Sequence, residues 1–328
     1  MLMKLFGKFK IAGTSHRIMQ LKELRQMIIV AIMLVSLAFS IAIPVLLLKK
    51  MGLTSDFISY DSDKNIAVLH LDKQITIDYI NQIIKTMDDL KQEYAKGDVT
   101  NVLIVASSPG GSPQGSDELA NYLLEFQKQI PTTFYVEGVC ASGCYYIASS
   151  MHFDKNNSLS GIIANPNSVV GSIGVVMPHL VYGPALNKHG IENEYLYVGK
   201  FKVPMDSWEL ASEESKKYLT RNILAPVYKT FRNFVQKHRN LDEDKLSKLD
   251  DGRVFISTLV EGSLVDRVSN LTTIKNELYA SVSKKYPGES VGFAEVNIEK
   301  DKPSLLNSIS NIQNLIQGAI TQSSYHMN

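Results

Sequence analysis

Three short segments hold residue types that could do chemistry together. Ser107-Ser108-Pro109-Gly110-Gly111-Ser112 directly follows the apolar run NVLIVA at 101–106. Paired glycines let the backbone come close to a ligand and aim N–H groups at it. Such N–H pairs are the usual material of an oxyanion hole, although a Gly-rich turn after a strand is just as often a plain connection. Cys140-Ala141-Ser142-Gly143-Cys144-Tyr145-Tyr146-Ile147-Ala148 reads as a small-residue turn leading into an apolar helix. The Ser142 hydroxyl would then lie near the positive end of a helix dipole, as a nucleophile or simply as an N-cap. Val198-Gly199-Lys200-Phe201-Lys202-Val203-Pro204 supplies two amines. A serine attacks a carbonyl only when a base takes its proton. The chain has no G-x-S-x-G elbow and no HExxH, and its seven histidines fall in no motif. A lysine is the base that remains, unless Lys200 and Lys202 are ordinary solvated charges.

Alternating strand and helix patterns position these segments. Strands are expected at 65–71, 101–106, 132–136, 161–164 and 195–198. Ile77, Ile80, Ile84, Met87 and Leu90 recur at helical spacing within 76–94, and Leu119, Tyr122, Leu123 and Phe126 mark a second amphipathic helix. A further helix is expected through 145–149, and a long one over 213–238 that Pro226 should kink or divide. Near-continuous apolar strands between helices predict an α/β domain on a parallel sheet. Beyond residue 270 the expectation is a helix, an irregular stretch near 287–292 and a last helix near 304–317.

Met27 to Leu48 is a charge-free run, long enough to span a bilayer, which takes about 20 apolar residues. Lys4, Lys8, Lys10, Arg17, Lys22 and Arg25 precede it against the single acid Glu23, so the N-terminal side is expected in the cytoplasm. The run ends in Lys49-Lys50 without a short apolar core and a small-x-small site, which favours an uncleaved anchor over a signal peptide. The net charge of +1, from 34 basic and 33 acidic residues, gives no field that points to nucleic acid. With Cys140 and Cys144 as the only cysteines, the chain is not a disulfide scaffold.

Taken together and in order, the motifs resemble those of the signal peptide peptidase A (protease IV) and SohB family of membrane-anchored serine peptidases. They are SPGGS at 108–112, ASG-x-YYIA at 141–148, GSIGVV at 171–176, GKFK at 199–202 and DGRVF…LVD from Asp251 to Asp266. The resemblance implies a ClpP/crotonase-like fold of stacked ββα units over 65–268, preceded by one N-terminal transmembrane helix. The remaining segments are a cytoplasmic part at 1–26, the anchor at 27–48, a linker at 49–64 and a mainly helical extension at 269–328. It also implies Ser142 as nucleophile, Lys202 as base, and Gly111 and Gly143 as backbone oxyanion donors with Gly110 beside them. Neither a cofactor nor a metal is implied. The partners it implies are hydrophobic peptides, cleaved signal peptides among them, membrane lipid, and further copies of the chain in a ring with the dyad shared between protomers. The place it implies is a bacterial inner membrane, crossed once, with the peptidase domain on the periplasmic side. A degenerate anchored scaffold and a crotonase-like acyl-CoA enzyme are the alternatives.

The sequence departs from the family pattern at Cys144, where a second glycine is usual, and after Val254-Phe255, where Ile-Ser replaces Thr-Gly. A lysine that is neutral at pH 7 costs about 4.6 kcal/mol against its ordinary state. Desolvation can supply an effect of that size, so Lys202 is expected to be buried. Cys140 and Cys144 flank Ser142 at i−2 and i+2. On one helix their Cα atoms would be about 6 Å apart, within disulfide range. Bridging them is expected to distort the turn, so two small buried thiols are the favoured expectation over a redox switch.

Overall fold

The structure is a computed structural model and describes residues 60–298. The run 27–48 and the expected helix near 304–317 lie outside the described residues. In chain order the elements are β1 (Lys64–Leu71), α1 (Ile77–Lys96), β2 (Val99–Ser108), α2 (Pro113–Gln129), β3 (Thr132–Ala141), α3 (Gly143–Ala148), β4 (Ile162–Ala164), β5 (Val169–Gly171) and α4 (Gly183–Asn187). They continue with α5 (Glu213–Leu219), a π-helical turn (Thr220–Leu224), α6 (Ala225–His238), α7 (Glu243–Leu246), β6 (Val254–Ile256), β7 (Arg267–Val268), α8 (Leu271–Lys285) and β8 (Val291–Glu295).

The α/β expectation holds. The main path of the sheet runs β6-β5-β3-β2-β1-β8, with β4 pairing β3 and β7. Every pairing is parallel except β5 with β6, so the sheet is mixed rather than purely parallel. Its central strands are covered on both faces, which is why they read as unbroken apolar runs. Side chains alternate across the pleat. Leu69, Val102, Ile104, Phe134 and Val136 join one core together with residues of α1, α2 and α3. Val68, Leu103, Val105 and Tyr135 join the other, with Ile274, Leu278 and Val282 of α8.

Local signals set the ends of the helices. The Thr76 hydroxyl accepts from the Tyr79 amide at 3.1 Å and Gly97 closes α1 in the left-handed region. Ser112 caps α2, with Pro113 in its first turn. Pro226 does not break the long helix. The backbone widens into the π turn immediately before it, and α5 and α6 run on without a gap. A π turn relieves the missing N–H and the ring clash that proline would otherwise bring.

Two expectations are corrected here. Tyr195–Val198 is not a strand. Its aromatic and β-branched residues suit a pleated surface, but they pair with no strand among the described residues, and Leu196 and Val198 are 92% and 97% exposed. The irregular stretch expected near 287–292 is shorter: 287–290 form a turn and bend, and β8 begins at Val291, parallel to β1 with Lys64 opposite Val291.

A buried ion pair ties these elements together near the turn from β3 to α3. Arg239, at the end of α6, donates to both carboxylate oxygens of Asp266 at 2.6 and 2.9 Å, and both side chains are almost fully buried. Asp266 also accepts from the Ile162 amide at 2.7 Å, and the Tyr145 hydroxyl of α3 donates to the Leu264 carbonyl at 2.9 Å. Removing one partner of a buried pair leaves the other charge uncompensated, at a cost of about 3–5 kcal/mol. Asp266→Ala is therefore expected to lower unfolding stability by about that amount, read by urea denaturation. A loss below 1 kcal/mol would mean the pair does not hold this region.

Candidate active site

Ser142 lies where β3 turns into α3. Ala141 pairs with Gly171 of β5, and the Ser142 amide donates to the Gly171 carbonyl at 2.9 Å, so the strand is held up to the serine. Ser142 itself adopts φ 55° and ψ −123°, a conformation sparsely populated by residues with a side chain. It occupies the N-cap position of α3, yet its side chain makes no capping hydrogen bond. The plain N-cap reading is thereby set aside, and the half-buried hydroxyl faces a cleft.

The glycines shape the wall beside it. Gly111 forms a parallel bridge with Ile75, in which the Ile75 amide donates to the Gly110 carbonyl and the Ser112 amide to the Ile75 carbonyl, each at 2.8 Å. That pattern uses the Gly110 carbonyl and the Ser112 N–H and turns the N–H of Gly111 itself to the opposite edge. Gly143 is the first residue of α3, so its N–H has no acceptor within the helix. The two segments touch closely. A Cβ on Gly110, which sits at φ +93°, would come within 2.7 Å of the Gly143 nitrogen and 2.9 Å of the Ser142 Cβ. A Cβ on Gly111 would overlap the Ile75 carbonyl, and one on Gly143 the Ser116 hydroxyl. These positions therefore require glycine for space.

Sequence reasoning missed Ser116. It is buried, donates to the Ser112 carbonyl at 2.8 Å, and backs Gly143. Its position one helical turn after the Ser112 cap was the available signal. Gly143→Ala is expected to lower kcat about 100-fold, because displacing a reacting group by 1 Å costs about that much. Adding Ser116→Gly should recover part of the loss. A Gly143→Ala protein with unchanged kcat would show that the crowding has no bearing on catalysis.

Ser142, Gly143, Gly110 and Gly111 line one cleft of about 1220 Å³. Its other walls include Ile173, Val175, Val227 and Phe231, which make it largely apolar. Among the described residues that line it there is no lysine and no histidine. Its titratable groups are already engaged. Asp117 accepts from the Tyr146 hydroxyl at 2.5 Å, Asp250 pairs with Arg232 at 2.6 Å, and Asp251 with Arg253 at 2.7 Å. Burial first, and the Asp117 carboxylate second, push the Tyr146 phenol well above the ordinary tyrosine range, so it stays protonated and is no base. Tyr146 is further held by stacking on Phe234 at 4.2 Å. No group of three or more His, Cys, Asp or Glu side chains among the described residues is placed to hold a metal ion.

Lys202 is not among the cleft residues. It is exposed in the single chain, so the burial expected of a lysine base is not met there. Its turn is nonetheless ordered by contacts. The Lys202 amide donates to the Gly199 carbonyl at 3.0 Å, and Phe201 stacks on Tyr218 of α5 with ring centroids 4.2 Å apart and planes within 7°. Lys200, the neighbouring amine, pairs with Glu214 at 2.5 Å. The segment leading to this turn carries exposed apolar side chains: Val176, Leu180, Leu196 and Val198 are each more than three-quarters exposed.

The cysteines differ from expectation. They are buried as expected, but Cys140 and Cys144 are joined in a disulfide rather than present as thiols. The expected distortion assumed that both lay on one helix. Cys140 instead belongs to the end of β3 and Cys144 to α3, with Cα atoms 5.1 Å apart, so the bond spans the turn.

The sequence is similar to those of known peptidases. The model of peptidase family S49 matches residues 125–284. A protein of Methanocaldococcus jannaschii named "Putative protease" is 31% identical over 242 residues, which are 70% of this chain and 73% of the relative. An Enterococcus faecium protein named "Putative signal peptide peptidase SppA" is 32% identical over 60% of this chain and 57% of its own length. The chloroplastic serine protease SPPA of Arabidopsis thaliana is 25% identical over 52% of this chain, which spans 24% of that relative.

Proposed function

This chain belongs to peptidase family S49 and is a serine peptidase, and from that premise we propose that Ser142 is its nucleophile and Lys202, from a neighbouring copy of the chain, its base. The observation that carries the reading is a cleft lined by an uncapped serine and by Gly111 and Gly143, with no lysine or histidine among its described lining residues. The family's lysine stands on an exposed segment rich in apolar side chains, as a group awaiting a second copy would. Docking that segment over an adjoining cleft would remove Lys202 from water and favour its neutral form. It would also cover the apolar residues before it, and it would give Tyr195–Val198 a surface to pair with.

The steps then follow from the groups present. Neutral Lys202 takes the Ser142 proton as the hydroxyl oxygen attacks the scissile carbonyl. The Gly111 and Gly143 N–H groups hold the developing oxyanion. The ammonium returns the proton to the leaving amine, and an acyl-serine remains. Lys202 next deprotonates a water, which releases the acid and restores the serine. Phe201 and Tyr218 act as positioning residues, since their stack fixes the turn that presents the amine.

Apolar lining at Ile173, Val175, Val227 and Phe231 supports hydrophobic peptides as substrates. The run 27–48 would hold the enzyme at a membrane, N-terminus in the cytoplasm and peptidase domain on the extracytoplasmic side, where cleaved signal peptides are released. The full chain in detergent, given a serine-directed fluorophosphonate and an apolar fluorogenic peptide, tests the reading. Labelling and hydrolysis are expected. The absence of both from a folded protein would overturn it.

A further inference from the structure

The Cys140–Cys144 bond has no part in the reaction above, yet it closes a five-residue loop with Ser142 at its centre. Resting on the reading of Ser142 as nucleophile, we propose that this disulfide is a positioning element for the nucleophile turn, and that its reduction lowers peptidase activity.

Three observations support this. First, Ser142 sits at φ 55° and ψ −123°. Such a conformation costs about 1–3 kcal/mol and persists only where its surroundings over-determine it. On the strand side it is held by the Ser142 amide to Gly171 and by the pairing of Cys140 with Val170. The covalent link from Cys140 to Cys144 carries that constraint across to α3, whose first residue is the oxyanion donor Gly143.

Second, both sulfurs lie in a packed core, with Cys140 and Cys144 at 0% exposure among Tyr145, Ile147 and Ile173. Bonded sulfurs stand about 2 Å apart, whereas non-bonded heavy atoms need about 3.5 Å. Reduction therefore demands roughly 1.5 Å of extra separation inside the turn. A displacement near 1 Å at reacting groups costs about 100-fold in rate.

Third, the link depends on one residue type, because Cys144 stands at the second residue after Ser142, where a glycine would leave the turn unlinked.

The exchange is balanced with a dithiol as the co-reactant. One thiolate attacks a cysteine sulfur and expels the other cysteine as a thiolate. The second thiol of the reductant then displaces the first cysteine from the mixed disulfide. The protein gains two electrons and two protons, and the dithiol becomes a cyclic disulfide. Because both sulfurs are buried, exchange waits on local opening, and the bond is slow to reduce. A chain of this kind reaches full activity only in an oxidising compartment, where disulfides form and persist.

The test follows the full chain in detergent before and after dithiothreitol, and again after reoxidation with oxidised glutathione. Free thiols are counted by alkylation and mass, and kcat and KM are measured on an apolar peptide. Two thiols should appear on reduction as kcat falls about 10- to 100-fold with little change in KM. Both changes should reverse on reoxidation. Cys140→Ala/Cys144→Ala should be insensitive to dithiothreitol, while the wild-type cycle stands without that variant. Two alkylated thiols with kcat unchanged would overturn the proposal, as would a bond that cannot be reduced in the folded chain. No hydrolysis in either state and no fluorophosphonate label would instead mean that the serine-peptidase site itself was misassigned.

Discussion

Ser142→Ala is expected to abolish peptide hydrolysis, with kcat down by at least about 10³-fold, because the oxygen that forms the acyl-enzyme is gone. The same change should erase fluorophosphonate labelling. The fold should be unaffected. The Ser142 hydroxyl makes no capping bond, and the elements around the turn are held by the Gly171 carbonyl, the disulfide and the Tyr145–Leu264 hydrogen bond. Unfolding stability should therefore stay within about 0.5 kcal/mol of wild type. Labelling that survives the substitution would mean that another serine is the nucleophile. Ser112 and Ser172 also line the cleft, but Ser112 is engaged as the cap of α2.

Lys202→Ala is expected to lower kcat about 10²- to 10⁴-fold, the usual worth of a general base. Folding and assembly should be retained, since the side chain is exposed in the single chain and borders no core. Lys200→Ala should do far less, because that amine is spent on Glu214. Tyr218→Ala should lower kcat more than it raises KM, and Tyr218→Phe, which keeps the ring, should restore it. Full activity in Lys202→Ala would remove the lysine from the mechanism.

What the sequence disclosed followed where the physics was local. The run Ile80, Met87, Leu90 announced α1, and NVLIVA announced a strand buried on both faces. The Gly-Gly and Ala-Ser-Gly turns were legible because each follows such a strand, and the structure brings them against each other. Features that depend on distant partners were not legible. β8 has a glycine at its second residue and owes its form to pairing with β1. β7 is only two residues long and exists through β4. Tyr195–Val198 has a strand's composition without a strand's partner among the described residues. The disulfide escaped because its cysteines were placed on one helix, when the first belongs to the preceding strand. Ser116 and the Arg239–Asp266 pair gave no periodic signal, since their importance comes from what the fold sets beside them.

The sharpest measurement mixes two inactive proteins. Ser142→Ala keeps Lys202, and Lys202→Ala keeps Ser142. Co-assembled in equal amounts, half of the clefts contain a serine and half of their neighbours offer a lysine, so activity should return to about one quarter of wild type. Either protein alone should stay inactive, and the recovered activity should be lost when the two are kept in separate assemblies. No recovery on mixing, with co-assembly verified, would contradict the claim that one copy's Lys202 serves another's Ser142.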